Sequence, residues 1–535
     1  MKSLLAGACA LALPLIASAI PEGPEPNTPE WVQRELLNYV RTTGAPTEQL
    51  SPDFQQRLQT QSIANETEWL MRGISDPDWL IPQTGNTNVL PLCASWALQC
   101  SGDPFRYPGV DPFYDNEAEV TPLVIYDEDC ARLSGRVWAP KGSKAGDGLP
   151  AVVIENGSIQ APEPLYWWMA QALVRQGYVV MTFDPRGQGR SDQQTPTGGQ
   201  GSNADSTVFW NGLVNVIDFF RSTPVAPYPH NATCAGTYAT EVTDINPFFD
   251  RIDRDRLGIA GHSLGATGVS VVQSYGAVGA EPWPGLLDTE NPVKVLVAWD
   301  SLRAPGAASG STPAVVPRVP AMGHTSEYGI GGTAKTAPPD VEGHKGGYRG
   351  WRDAKVPVYQ LTIQGSTHFE WSLIPTFPAS SWCPEVVDGQ CAGGWGRPLA
   401  EHYSVAWFDR WLKLPGEKGY DTADARLLAD ADWVDRYSFY SKAARAFPSR
   451  DGAFQLCEDI RAGCEIAKPP VVIVDPPPTS PPPSNPPPTT PPPVANPSPA
   501  VLASTEGCFG GSWGLATLMS LLGGALVTGR RRQSL

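Results

Sequence analysis

The stretch Leu257-Gly258-Ile259-Ala260-Gly261-His262-Ser263-Leu264-Gly265-Ala266 decides the fold. Leu257 to Ala260 reads as a short buried strand, and it runs directly into Gly261-His262-Ser263-Leu264-Gly265 and then into the small-residue run Ala266 to Ser270. Two glycines around one serine permit a sharp strand-to-helix turn that lifts the serine side chain above the edge of a sheet. The same five-letter pattern recurs as Gly510-Gly511-Ser512-Trp513-Gly514, so the letters alone prove little. Only the first copy lies between a strand and a helix.

Outward from that turn, the pattern between Val120 and Leu414 alternates strand and helix, the mark of a mostly parallel sheet with helices on both faces. Val120 to Tyr126 and Ala131 to Trp138, joined by Asp127-Glu128-Asp129, read as an opening hairpin. Strands are expected at Pro150 to Ile154, Tyr178 to Phe183, Val293 to Trp299, Val319 to Gly323 and Val356 to Ile363, giving eight in all. Helices are expected at Pro164 to Gln176, Thr207 to Arg221 and Glu401 to Lys413.

A serine hydroxyl is a weak nucleophile until a base takes its proton, so a histidine must reach Ser263 from another loop. The chain has six histidines. His368, in Gln364-Gly365-Ser366-Thr367-His368-Phe369, directly follows the last expected strand. His230, His344, His402 and His324 read as ordinary surface or packing residues, and His262 as one that packs or hydrogen-bonds beneath the turn. The base in turn needs a carboxylate on its far nitrogen. Asp300 ends one strand and Glu327 follows the next, and the residues leave the two open. Backbone N–H groups must hold the oxyanion of a tetrahedral intermediate. Leu264 would supply one from the helix start, and Ser158, in the loop Glu155-Asn156-Gly157-Ser158-Ile159, the other. This chemistry requires no metal and no organic cofactor.

The segments GHSLG, VAWDSL, SEYG and GSTHFEWS resemble those of α/β-hydrolases, and in particular the plasma platelet-activating-factor acetylhydrolase group and dienelactone-hydrolase-like bacterial esterases. The resemblance implies an α/β-hydrolase fold over Val120 to Leu414 and a carboxylic ester hydrolase. It also implies that the aspartate of Val297-Ala298-Trp299-Asp300 is the triad acid, giving Ser263, Asp300 and His368. The partner it implies is a small or polymeric ester.

The 535 residues carry 39 Lys+Arg against 55 Asp+Glu, a net charge of −16, which excludes a basic nucleic-acid binder. With 41% hydrophobic residues and 18 Trp, apolar surface suffices for a large core. Lys2, the apolar run Leu4 to Ile16 and Ala17-Ser18-Ala19 read as a signal peptide over residues 1–19. An alternative lipoprotein cleavage before Cys9 would leave almost no apolar stretch ahead of the cut.

Residues 20–119 form an amino-terminal extension, with helices expected at Trp31 to Arg41 and Phe54 to Arg72; residues 120–414 form the catalytic domain, and 415–467 a disulfide-tied addition. Residues 468–507 hold PPPTSPPPSNPPPTTPPP, a stiff polyproline II spacer. Residues 508–535 contain Gly510-Gly511, the apolar stretch Trp513 to Thr528 and Arg530-Arg531-Arg532. This end resembles bacterial Gly-Gly sorting tails, which implies delivery to the cell envelope or surface, with a sorting protease as partner. Contact with the membrane is expected through this tail alone. Cysteine spacing pairs Cys93 with Cys100, Cys383 with Cys391 and Cys457 with Cys464, leaving Cys130 for Cys234.

The expectation is an exported serine esterase working through an acyl-enzyme. Its rivals are a polyester or lipid depolymerase of the same mechanism and a non-catalytic surface module. The cluster Tyr166-Trp167-Trp168 could line an acyl site or pack a helix on the sheet.

Overall fold

The structure is a computed structural model that describes residues 28–33, 52–79, 101–158, 161–202, 204–329, 335, 340–372, 386–387, 390–391, 396–438 and 440–464. The chain divides into the units Met1–Ile466 and Ala467–Leu535, and all described residues fall in the first. The signal segment, the proline-rich spacer and the apolar tail lie outside the described residues. Among the described residues no helix is long and apolar enough to cross a membrane.

Near-continuous buried runs build the centre of the sheet. Its strands are β1 (Ala118–Tyr126), β2 (Arg132–Pro140), β3 (Leu149–Glu155), β4 (Val179–Phe183), β5 (Ile252–His262), β6 (Val293–Trp299), β7 (Ala321–Tyr328) and β8 (Val358–Thr367). A two-stranded ribbon, β9 (Val386–Val387) with β10 (Gln390–Cys391), stands apart, and β11 (Ala444–Pro448) and β12 (Phe454–Cys457) return to the main sheet. The order is β1-β2-β4-β3-β5-β6-β7-β8-β11-β12. From β4 to β8 every neighbouring pair is parallel. The β1–β2, β2–β4, β8–β11 and β11–β12 pairs are antiparallel.

The sheet therefore has ten strands, and the expectation of a mostly parallel eight-stranded sheet is corrected to a mixed one. The two added strands come from the segment 415–467, read from the sequence as a small disulfide-tied addition with no strands assigned. The physical reason lies at the edge: without β11, strand β8 would present a row of unpaired backbone groups. Ala444, Arg445 and Ala446 pair with Gln360, Tyr359 and Val358 and cover it. Strand order, parallel centre and flanking helices support an α/β-hydrolase fold.

The central strands are buried on both faces, as parallel strands flanked by helices are. In β3, Ala151 and Val153 join one apolar cluster, while Val152 and Ile154 join the other. Helices α2 (Trp167–Arg175) and α6 (Gly396–Leu412) cover one face. Helices α3 (Val208–Arg221), α4 (Leu264–Val272) and α5 (Gly346–Asp353) cover the other. Tyr166, Trp167 and Trp168 are fully buried in the first cluster, so the packing reading holds for them.

In the amino-terminal extension, α1 (Pro52–Ser75) buries Phe54 and Leu58, its Asn65 donates to Ser101 and Tyr107, and it meets the domain where Arg72 donates to Ser134 and Glu68 accepts from Arg190. Trp79 is held between two guanidinium groups, Arg72 at 3.5 Å and Arg132 at 3.9 Å from its ring centre. Such stacking is worth about 1–2 kcal/mol per cation when desolvated.

The bridges Cys130–Cys234 and Cys457–Cys464 are both formed. The other two expected pairs lie outside the described side chains. Because Cys130 and Cys234 are 104 residues apart, their bond removes much freedom from the unfolded chain. Replacing both with alanine is expected to lower stability by about 2–4 kcal/mol in denaturant titration; an unchanged midpoint would show that the bridge does not constrain the unfolded chain.

Candidate active site

The turn after β5 works because two side chains are missing. A methyl group at Gly261 would fall 2.3 Å from the carbonyl oxygen of Gly265, and one at Gly265 would fall 2.2 Å from that of Asn156. Strand, helix and the loop after β3 thus meet at backbone distance, which only glycine allows. Between them Ser263 is forced to φ 58° and ψ −119°, a region costing about 1–3 kcal/mol for a residue with a side chain. Its N–H donates to Trp299 O of the neighbouring strand at 2.9 Å, which pins the turn to β6.

From this turn the Ser263 hydroxyl oxygen lies 2.9 Å from His368 Nε2. His368 follows β8, and its Nδ1 lies 2.6 Å from Asp300 Oδ2 at the end of β6. Three residues expected from sequence are therefore brought into one hydrogen-bonded line. Glu327, the other acid left open, points elsewhere: it is buried in β7 and accepts from the Gly365 amide at 2.8 Å, near the end of β8 just ahead of His368.

Asp300 is fully enclosed, and every contact on its carboxylate favours the charged form. Ser326 donates its N–H at 3.0 Å and its hydroxyl at 2.9 Å, and the Lys335 ammonium reaches both carboxylate oxygens at 2.6 Å. Burial alone would raise its pKa. The Lys335 ammonium and the hydrogen bond from His368 outweigh it and hold Asp300 well below the usual carboxylate range. Lys335 and Ser326 are the partners that sequence reasoning misses. Lys335 sits in an excursion between strands with no motif around it, and no local signal marks its partner.

On the opposite side of the serine, a methyl group on Gly157 would fall 3.3 Å from Ser263 Cβ, so the loop after β3 lies against the hydroxyl-bearing residue. Gln188, buried in the turn after β4, donates to Gly157 O at 2.7 Å. In a planar trans peptide the following N–H points opposite that carbonyl, so Gln188 sets the direction of the Ser158 amide. Leu264 opens α4, and a first-turn amide there has no partner within its helix. Asn156 Nδ2 donates to Asp184 at 3.2 Å, which ties the loop to the turn after β4.

The remaining described histidines have local partners. His324 is buried in β7 and accepts from Trp371 Nε1 at 3.2 Å, burial lowering its pKa to about 3. His402 Nε2 donates to Arg426 O at 3.0 Å.

No family model and no curated protein matches the chain. Solved structures do resemble it. A ferulic acid esterase from Streptomyces cinnamoneus is 16% identical with a TM-score of 0.32, over 55% of this chain and 89% of its own. A thermostable esterase from Pseudomonas putida is 13% identical with a TM-score of 0.33, over 56% of this chain and 84% of its own. An acylaminoacyl peptidase from Pyrococcus horikoshii is 13% identical with a TM-score of 0.32, over 58% of this chain and 44% of its own.

Next to the serine turn, Glu155 is fully buried at the end of β3, and neither carboxylate oxygen has a hydrogen-bond partner among the described residues. Burial pushes its pKa well above the ordinary 4.5. The folded protein thus holds a proton that the unfolded chain releases above about pH 4.5. The associated stability is full below that pH and falls as pH rises toward the folded pKa. Glu155→Gln is expected to flatten this decline, so that its unfolding free energy gains on wild type by roughly 1.4 kcal/mol per pH unit from pH 5 upward. Parallel curves from pH 5 to 8 would show that Glu155 ionises in place.

Proposed function

We propose that this protein is a serine hydrolase that cleaves carboxylic esters through an acyl-enzyme. The observation that carries the reading is the unbroken line Ser263 Oγ, His368, Asp300, at 2.9 and 2.6 Å, on a serine held at positive φ between a strand and a helix. His368 donates from Nδ1 to Asp300 and accepts the Ser263 proton at Nε2. The freed oxygen attacks the ester carbonyl, and the Leu264 and Ser158 amides receive the negative charge on the carbonyl oxygen. His368 then gives its proton to the departing alcohol. Water enters, loses a proton to His368 and attacks the acyl carbon; His368 then returns that proton to Ser263 Oγ as the acyl–oxygen bond breaks and the acid leaves.

Asp300 keeps the imidazole in that tautomer and stabilises its charged form. The Lys335 ammonium holds Asp300 ionised and keeps it from accepting a proton of its own.

The finer reading is an exported esterase of the acetylhydrolase and dienelactone-hydrolase-like kind, attached to or released from the cell surface through its carboxy-terminal tail. Two disulfides among the described residues support an oxidising compartment.

A fluorophosphonate probe tests the core of the proposal. Wild type is expected to be labelled at Ser263 with loss of p-nitrophenyl acetate hydrolysis, and Ser263→Ala to escape labelling and lose at least about a thousandfold in kcat. Folded wild type that resists the probe would leave the surface-module reading in its place. Turnover of soluble short esters with none on polymer films would dismiss a depolymerase.

A further inference from the structure

Beneath the serine turn lies a hydrogen-bonded chain that the reaction itself does not use. The Gly157 N–H donates to the Tyr166 hydroxyl oxygen at 2.9 Å. That hydroxyl lies 2.9 Å from His262 Nδ1, and His262 Nε2 lies 2.8 Å from the His368 carbonyl oxygen. The donor order follows from the two ends. A carbonyl can only accept, so His262 Nε2 carries the hydrogen and donates to His368 O. Its Nδ1 is then an acceptor, and the Tyr166 hydroxyl, having accepted from Gly157, donates to it.

Tyr166 is fully buried and His262 is 3% exposed. Burial, with the nearby His368 adding to it, lowers the His262 pKa to about 3, so the ring stays neutral and the order of donors does not change across the working range of pH. The His262 and His368 ring centres are 4.9 Å apart.

We propose that Tyr166 and His262 are positioning residues, forming a brace that holds the oxyanion loop after β3 and the backbone of the catalytic base at a fixed separation across the nucleophile turn. Neither is hydrogen-bonded to Ser263 Oγ or to a ring nitrogen of His368. One end of the brace, Gly157, directly precedes Ser158, and the carbonyl at the other end belongs to His368 itself. Because the two ends are joined by one chain of donors, a cut anywhere breaks the tie between them. The inference rests on the serine-hydrolase reading.

Tyr166→Phe removes one oxygen and keeps the ring. His262→Gln keeps a donor at the Nε2 position for the His368 carbonyl and has no acceptor at the Nδ1 position for Tyr166, whereas His262→Ala loses both. In the full-length protein, with p-nitrophenyl acetate as substrate and butylboronic acid as the tetrahedral mimic, Tyr166→Phe is expected to lower kcat about 10- to 100-fold. KM is expected to stay within about twofold and boronate affinity to fall in parallel with kcat, the pattern of interactions made only in the transition state. His262→Gln should retain more activity than His262→Ala. The double variant Tyr166→Phe/His262→Gln should be no worse than the poorer single, since the two act as one unit.

A Tyr166→Phe protein with kcat within about threefold of wild type overturns the proposal, as do multiplying losses in the double variant or a raised KM at constant kcat. A Tyr166→Phe chain that cannot fold overturns it too, for the hydroxyl would then be holding the structure together. Failure of wild type to label at Ser263 is a different result: it removes the underlying reading.

Discussion

The arrangement depends on one close backbone approach, that of Gly265 to the carbonyl of Asn156. It lets the helix after β5 start hard against the loop after β3. Ser263 is then squeezed to positive φ with its hydroxyl outward, and the loop carrying Gly157 and Ser158 comes within contact of it. Any side chain at residue 265 would separate the loop from the helix and undo both. The strain at Ser263 is held in place by the parallel pairing of β5 with β3 and β6, and by the Ser263 amide bonded to Trp299.

The same sheet order explains why three residues distant in sequence meet. Strands β5, β6, β7 and β8 are consecutive and parallel, so the segments after β5, β6 and β8 emerge at one end of the sheet. Ser263 and Asp300 stand on adjacent strands, and His368 reaches back over β7 to lie between them. Ligands in open α/β sheets bind outside the carboxyl ends of the strands for this reason. Burial on both faces makes that scaffold rigid, and the antiparallel strands at its margins close it.

Much of this was legible in the sequence. The glycine-bounded serine, the alternation of strand and helix and the histidine after the last parallel strand are local patterns, and local patterns survive without coordinates. What was hidden depends on long-range contact. Asp300 and Glu327 both sit near strand ends, and only the direction of each side chain separates them: one faces His368, the other the Gly365 amide. Lys335 lies 35 residues from Asp300 in a segment without periodicity. The strands β11 and β12 are short and lie in the segment 415–467, read as a small disulfide-tied addition, so their place at the sheet edge is set by the backbone groups of β8 rather than by any signature of their own. His262 reads as packing or hydrogen-bonding beneath the turn and Tyr166 as helix packing or acyl-site lining, and the chain that joins them is traced only when both polar ends are followed.

The central claim is that the Ser263 oxygen becomes acylated. Mixing the protein with excess p-nitrophenyl acetate, quenching in acid within the first turnover and sequencing the peptides by mass spectrometry tests it directly. The account predicts one acetyl group per chain, carried on Ser263, together with a burst of one equivalent of p-nitrophenol. Acetylation elsewhere, or steady turnover with Ser263 never modified, would contradict it.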